Sequence, residues 1–90
     1  NAALDGLARS LAAEFVRRGI TVNVVAPGST ATPMLRDPAR ADAPVMPLPI
    51  GRLVDPDEVA ALIEFLIGPK AGAITGQTIF ICGGGSIAGI

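Results

Sequence analysis

At 90 residues, half of them apolar, the chain has room for one compact unit and is too apolar for a disordered tail. Its formal net charge is −1, its cations are scattered and its only aromatics are three Phe, so it lacks the basic stripe and stacking surface that nucleic acid requires. One Cys, Cys82, and no His exclude a disulfide framework and a zinc cluster, and a reducing cytoplasm is the expected compartment.

The first element is helical. Leu4, Leu7, Ala8, Leu11, Ala12 and Phe15 recur on one helix face, and Asp5, Arg9 and Glu14 fall elsewhere on the wheel. That start carries no basic stretch followed by an apolar run, so no secretory leader is expected. Arg17 and Arg18 suit the negative end of the helix dipole, and Gly19 supplies a left-handed stop. Ile20 to Ala26 then reads as a strand apolar on both faces, the pattern of an interior parallel strand, ended by Pro27 and Gly28.

From Gly28 to Val54 the chain carries Pro33, Pro38, Pro44, Pro47 and Pro49 without a sustained period, which predicts a long loop with room for a short helix. Asp55-Pro56-Asp57-Glu58 predicts the next helix start: Asp55 as N-cap, Pro56 in the first turn, and Glu58 placed to close a capping box. Val59, Leu62, Ile63 and Leu66 form its expected buried stripe, and Gly68-Pro69 its stop, with Gly68 left-handed. Thr78 to Cys82 is the second apolar strand, followed by Gly83, Gly84 and Gly85. The span Ala71 to Ile90 is uncharged and long enough to cross a bilayer, but it holds six Gly and several polar residues, so no membrane span is expected.

Helix, strand, long loop, helix, strand is the repeating half of a parallel α/β sheet. Two such strands alone would leave ladder groups and Val, Ile and Phe side chains uncovered, and a staple-free domain of this size buries only about 60% of its unfolded surface. A completing segment is therefore expected.

Five blocks in order carry a family likeness: Ala2 to Phe15 (AALDGLARSLAAEF), Gly19 to Gly28 (GITVNVVAPG), Thr30 to Met34 (TATPM), Gly51 to Ala60 (GRLVDPDEVA) and Ile74 to Gly84 (ITGQTIFICGG). Together they resemble the short-chain dehydrogenase/reductase family over almost the whole chain. The resemblance implies a fold class of α/β, with residues 1–90 as the C-terminal half of a Rossmann-like doubly wound parallel sheet in three α/β/α layers, incomplete in this chain. Residues 28–54 are then its substrate and cofactor loop, and the missing partner is the N-terminal half of the same domain.

The resemblance also implies NAD or NADP as cofactor, a small carbonyl or alcohol substrate, and a homodimer or homotetramer. Pro27 and Gly28 lie at the carboxyl end of a parallel strand, where doubly wound folds bind ligands. In the family pattern Thr30 offers its backbone amide to the nicotinamide carboxamide and Thr32 its hydroxyl to the carboxamide or pyrophosphate. Met34, Leu35 and Met46 fall in or around the loop that closes over substrate, where thioethers suit an adaptable apolar pocket. Asn23, Arg52 and Asp55 read as local structural residues. Cys82 stands where the family commonly has Asp, and with no cation nearby it is expected to be an unactivated thiol.

The family's acid/base Tyr, its Lys and its substrate-orienting Ser belong upstream of these blocks. The chain has no Tyr, and Asn1 falls in the register of the Lys, where an amide cannot lower a phenol pKa. Nor does it hold the Gly-rich turn that seats a pyrophosphate, because no helix pattern follows Gly83 to Gly85. No catalytic residue is assigned here, and the chain alone is expected to be inactive. Two readings stand: part of an oxidoreductase of the ketoreductase or dihydrodiol dehydrogenase type, or a non-catalytic module completing a sheet on a partner chain.

Overall fold

The computed structural model describes residues 2–31 and 47–87. Helix α1 spans Ala2–Phe15 and tightens into a 3-10 turn at Val16–Arg18; strand β1 spans Val24–Pro27, helix α2 Pro56–Leu66 and strand β2 Thr78–Ile81. Strands β1 and β2 pair in parallel, with Val24 opposite Thr78 and Pro27 opposite Ile81. Bonds from Val24 N–H to Gln77 O (2.8 Å) and from Gly28 N–H to Ile81 O (3.1 Å) extend the ladder at both ends. A parallel pair needs a crossover, and α2 provides it, so β1-α2-β2 is one βαβ unit of an α/β fold.

The expected helix stop at Gly19 is present, with φ of 76° and a bond from its N–H to Val16 O. The first strand, however, begins at Val24 and not at Ile20. Upstream of Val24 the facing chain is a turn, and its groups bond Val22 singly: Val22 N–H donates to Thr75 Oγ1 (3.1 Å) and Gly76 N–H to Val22 O (2.7 Å). Asn23 completes the junction as expected, donating from Nδ2 to Ile74 O and accepting at Oδ1 from Gln77 N–H, both at 3.1 Å. Satisfied by a turn and two side chains, these backbone groups form no ladder. The second strand stops one residue early, because Cys82 already belongs to the following turn.

Helix α1 lies on the sheet through its small residues. Ala8 and Ala12 are buried, and Thr78 Oγ1 donates to Asp5 Oδ1 at 2.6 Å, fixing α1 to β2. The rest of its apolar stripe departs from expectation: Leu4 and Leu7 are 47% and 55% exposed. The stripe of α2 is likewise uncovered; Val59, Leu62 and Leu66 are half-buried and Ile63 is exposed. Two four-residue strands present too little apolar area to cover two helices, and the buried apolar residues among those described are Ala8, Ala12, Val54 and Ala71.

The start of α2 is as the sequence predicts. Asp55 Oδ1 accepts from Asp57 N–H (2.8 Å), Glu58 Oε1 accepts from Asp55 N–H (3.0 Å), and Pro56 occupies the first turn. Its end is not: Gly68 has no left-handed φ, and the right-handed Ile67 caps the helix. A Cβ at position 68 would stand 3.3 Å from both the Glu64 and Phe65 carbonyl oxygens, so close approach to the last turn accounts for glycine there.

Candidate functional site

The carboxyl ends of β1 and β2 form one rim, on which the chain concentrates its tightest backbone packing. Pro27 closes β1. Gly28 lies flat against the other strand's exit: a Cβ there would stand 3.0 Å from Cys82 Cα and 3.3 Å from Leu48 Cδ1. The close approach that glycine permits at position 28 is therefore to the protein's own backbone.

Beyond Gly28 the described chain runs parallel to the root of α2. Ala31 N–H donates to Val54 O (2.8 Å) and Val54 N–H to Ser29 O (2.9 Å), so Thr30 and Val54 form a parallel bridge. Successive backbone groups alternate in direction along an extended chain. Since Ser29 and Ala31 supply the bonds to Val54, the N–H of Thr30 points the other way, and it has no acceptor among the described residues. The Thr30 hydroxyl is turned inward, donating to Gly28 O at 2.8 Å and bracing the turn. Pro27, Gly28 and Thr30 thus share one rim, while Thr32, Met34, Leu35 and Met46 lie outside the described residues.

Val54 is the rim residue that sequence reasoning missed. It is 2% exposed and anchors Thr30 from the far end of the long loop. Its signal was a β-branched residue immediately before a helix cap, which reads equally well as loop. The other missed contact is the seating of Leu48 to Ile50 on the turn after β2, where Ile50 N–H donates to Gly83 O at 3.0 Å.

Local charges behave as read from the sequence. Arg52 grips both carboxylate oxygens of Glu58. The Arg52 hydrogen bond, then the Asp55 N–H, hold the Glu58 carboxyl down to about 2, and Glu58 raises the Arg52 guanidinium in turn. Cys82 needs correction. Its thiol is lowered without a cation: Ser86 Oγ lies 3.3 Å from Sγ, Ser86 N–H donates to Sγ at 3.4 Å, and the Gly84 and Gly85 amides add to the effect. Hydrogen bonds favouring the charged form do what a neighbouring cation would do. Among the described residues no group of three or more His, Cys, Asp or Glu could hold a metal, and no helix is long and apolar enough to cross a membrane.

A parallel βαβ unit with a glycine-tight rim at its strand exits defines a piece of a doubly wound, Rossmann-like α/β fold. The family model described as enoyl-(acyl carrier protein) reductase matches residues 1–86. The chain belongs to the short-chain dehydrogenase/reductase family. It is 45% identical over 86 residues to 3-oxoacyl-(acyl-carrier-protein) reductase FabG of Vibrio harveyi, covering 92% of this chain and 35% of that protein. It is 46% identical over 91 residues to a tropinone reductase homolog of Arabidopsis thaliana, covering 97% and 35%.

Among solved structures, a variant of a Serratia marcescens short-chain dehydrogenase/reductase superposes with a TM-score of 0.78 at 37% identity, over 94% of this chain and 35% of that one. A variant of actinorhodin polyketide ketoreductase solved with NADPH gives 0.77 at 38% identity, over 93% and 37%. The chain spans about a third of the length of the curated relatives it matches.

Proposed function

We propose that this chain is the C-terminal portion of an NAD(P)-dependent oxidoreductase that interconverts a small carbonyl compound and its secondary alcohol, with Pro27, Gly28, Thr30 and Thr32 on the cofactor side. The observation that carries the reading is the Thr30 N–H, directed away from Val54 and without an acceptor among the described residues, at the carboxyl end of a parallel strand. A planar carboxamide needs such a donor in a fixed direction, and the Gly28 carbonyl held by the Thr30 hydroxyl fixes it. The residues present therefore fit the nicotinamide half of the cofactor. Bound NAD(P)(H) supplies the hydride.

The rest of the assignment follows the family. Proton transfer to or from the substrate oxygen requires an acid/base group, and with no Tyr in its 90 residues this chain supplies orientation and not catalysis. Met34, Leu35 and Met46 are assigned to the substrate loop, and the substrate is of the ketoreductase or dihydrodiol type. Relatives named as acyl-carrier-protein and polyketide ketoreductases favour the former. The working form is a homodimer or homotetramer, with the uncovered faces of α1, α2 and β2 shared between the missing half of the domain and neighbouring subunits.

The test is Thr30→Pro in the complete protein. It deletes the N–H that no protein group among those described uses, together with the hydroxyl that bonds Gly28 O, so Thr30→Val, which loses the hydroxyl alone, is measured beside it. The fold is expected to persist while NAD(P)H affinity, read by fluorescence titration, falls about tenfold further in Thr30→Pro than in Thr30→Val, one good hydrogen bond to a polar ligand. Unchanged affinity in a folded variant would withdraw Thr30 from the site.

A further inference from the structure

We propose that the turn from Cys82 to Ser86 is a positioning device for the cofactor side, holding the Thr30 N–H in direction through two separate contacts with the long loop. This inference rests on the cofactor reading above and goes beyond it by assigning a role to residues which that reading leaves out.

The first contact is direct. Gly28 is bonded to β2 through its N–H and packed against Cys82, so closely that a Cβ would stand 3.0 Å from Cys82 Cα and 3.3 Å from Leu48 Cδ1. The position of Cys82 therefore sets the position of Gly28, and Gly28 O is the acceptor that holds the Thr30 hydroxyl. The second contact reaches Thr30 from behind. Gly83 sits at φ of 56°, in the left-handed region, and a Cβ there would fall 2.6 Å from Ile50 Cγ1, so Ile50 occupies the space that a side chain would take. Ile50 N–H bonds Gly83 O, Gly51 N–H turns back to Leu48 O at 2.7 Å, and four residues after Ile50 the chain delivers Val54 to its bridge with Thr30.

These contacts close a ring: Gly28, Cys82, Gly83, Ile50, Val54, Thr30. The turn itself is held shut by Gly85 N–H on Cys82 O (3.0 Å) and by Ser86 on the Cys82 thiol. A displacement at one member is passed to the next through the backbone hydrogen bonds Gly28–Ile81, Ile50–Gly83 and Val54–Ser29 and the tight contacts at Gly28 and Gly83. Moving Ile50 off Gly83 releases Val54, and releasing Val54 frees Thr30 to rotate. The cost appears in ligand affinity because a donor that must be re-aimed on binding loses the advantage of being pre-set.

The experiment uses the complete protein with three variants: Ile50→Ala, Gly83→Ala and Thr30→Pro. Ile50 is half exposed, so Ile50→Ala keeps a folded protein while emptying the seat. NAD(P)H dissociation constants are read by fluorescence titration beside thermal melts, with KM and kcat for the cofactor where turnover is measurable. The expected result is a three- to tenfold weaker cofactor in Ile50→Ala, a larger loss in Gly83→Ala, and a rise in cofactor KM that exceeds the fall in kcat. A melt that drops while the folded protein binds NAD(P)H as the parent does would overturn the positioning role and leave the turn as ordinary packing. If Gly83→Ala fails to fold, Ile50→Ala alone decides. Parent-like binding in Thr30→Pro would instead overturn the cofactor reading, so the two failures are distinguishable.

Discussion

The start of α2 and its apolar flank belong to one helix and differ in what completes them. At the start, every capping group comes from six residues away or fewer: Asp55 and Glu58 bond each other's turn, and Arg52 clasps Glu58. On the flank, Ile63 is exposed and the residue just past the helix, Ile67, is 81% exposed. The same contrast recurs at the strands. The rim from Gly28 to Val54 is closed by the chain's own backbone, while Phe80 on β2 and Leu4 and Leu7 on α1 face solvent. Caps and backbone hydrogen bonds are completed within these residues, and apolar surfaces that need a second layer are not. A domain cut through its sheet has this signature, since caps and turns survive and the shared core does not.

The comparison breaks most visibly if the flanks do not matter. The isolated 90-residue chain is expected to show no cooperative melt by circular dichroism at low concentration, because three Ala and one Val are the only fully covered apolar residues among those described. A sharp two-state transition would mean that the exposed faces cost little. The self-contained side is tested in the complete protein by Asn23→Leu, which strands the Gln77 N–H and the Ile74 carbonyl; a loss of about 2 kcal/mol of unfolding free energy, measured by denaturant titration, is expected, against none if the junction is incidental. Asp55→Ala should cost about 1 kcal/mol, the ordinary worth of an N-cap, and a null result would detach the cap from stability.

The smallest effect is one of pH. Glu58 has its carboxyl depressed in the folded state, so its contribution is present above the unfolded value of 4.5 and is lost as pH falls toward about 2. Glu58→Gln should therefore flatten the acid side of the stability profile in that window and leave the alkaline side unchanged. An unaltered acid limb would show that this exposed pair is idle.

What was legible in the sequence follows the same division. The cap at Asp55 and the stop at Gly19 depend on residue type at short spacing, and the tie at Asn23 on one amide set in an apolar run, whose partners at Ile74 and Gln77 lie far along the chain; the structure has all three. The start of β1 was not legible, because whether Ile20 to Asn23 forms a ladder depends on what the facing chain offers, and there it offers a turn. The burial of Leu7 and Ile63 was misjudged for a related reason: periodicity names the face that ought to be covered and not whether these residues cover it. Pro27, Gly28 and Thr30, singled out through the family pattern, share the rim, and Val54 was not singled out, since its place there is a single long-range bridge. The Cys82 environment escaped because its donors come from the geometry of a turn closed four residues later by Ser86.

The most direct test of the central claim, that these residues are one part of a larger hydride-transferring domain, is the intact mass of every polypeptide in the purified native protein under denaturing conditions. The account predicts a single species roughly three times the 9.1 kDa of this chain, as its share of the matched relatives requires, or a complementary second fragment. A lone 9.1 kDa species would contradict it, and would favour a module that completes its sheet on a different partner.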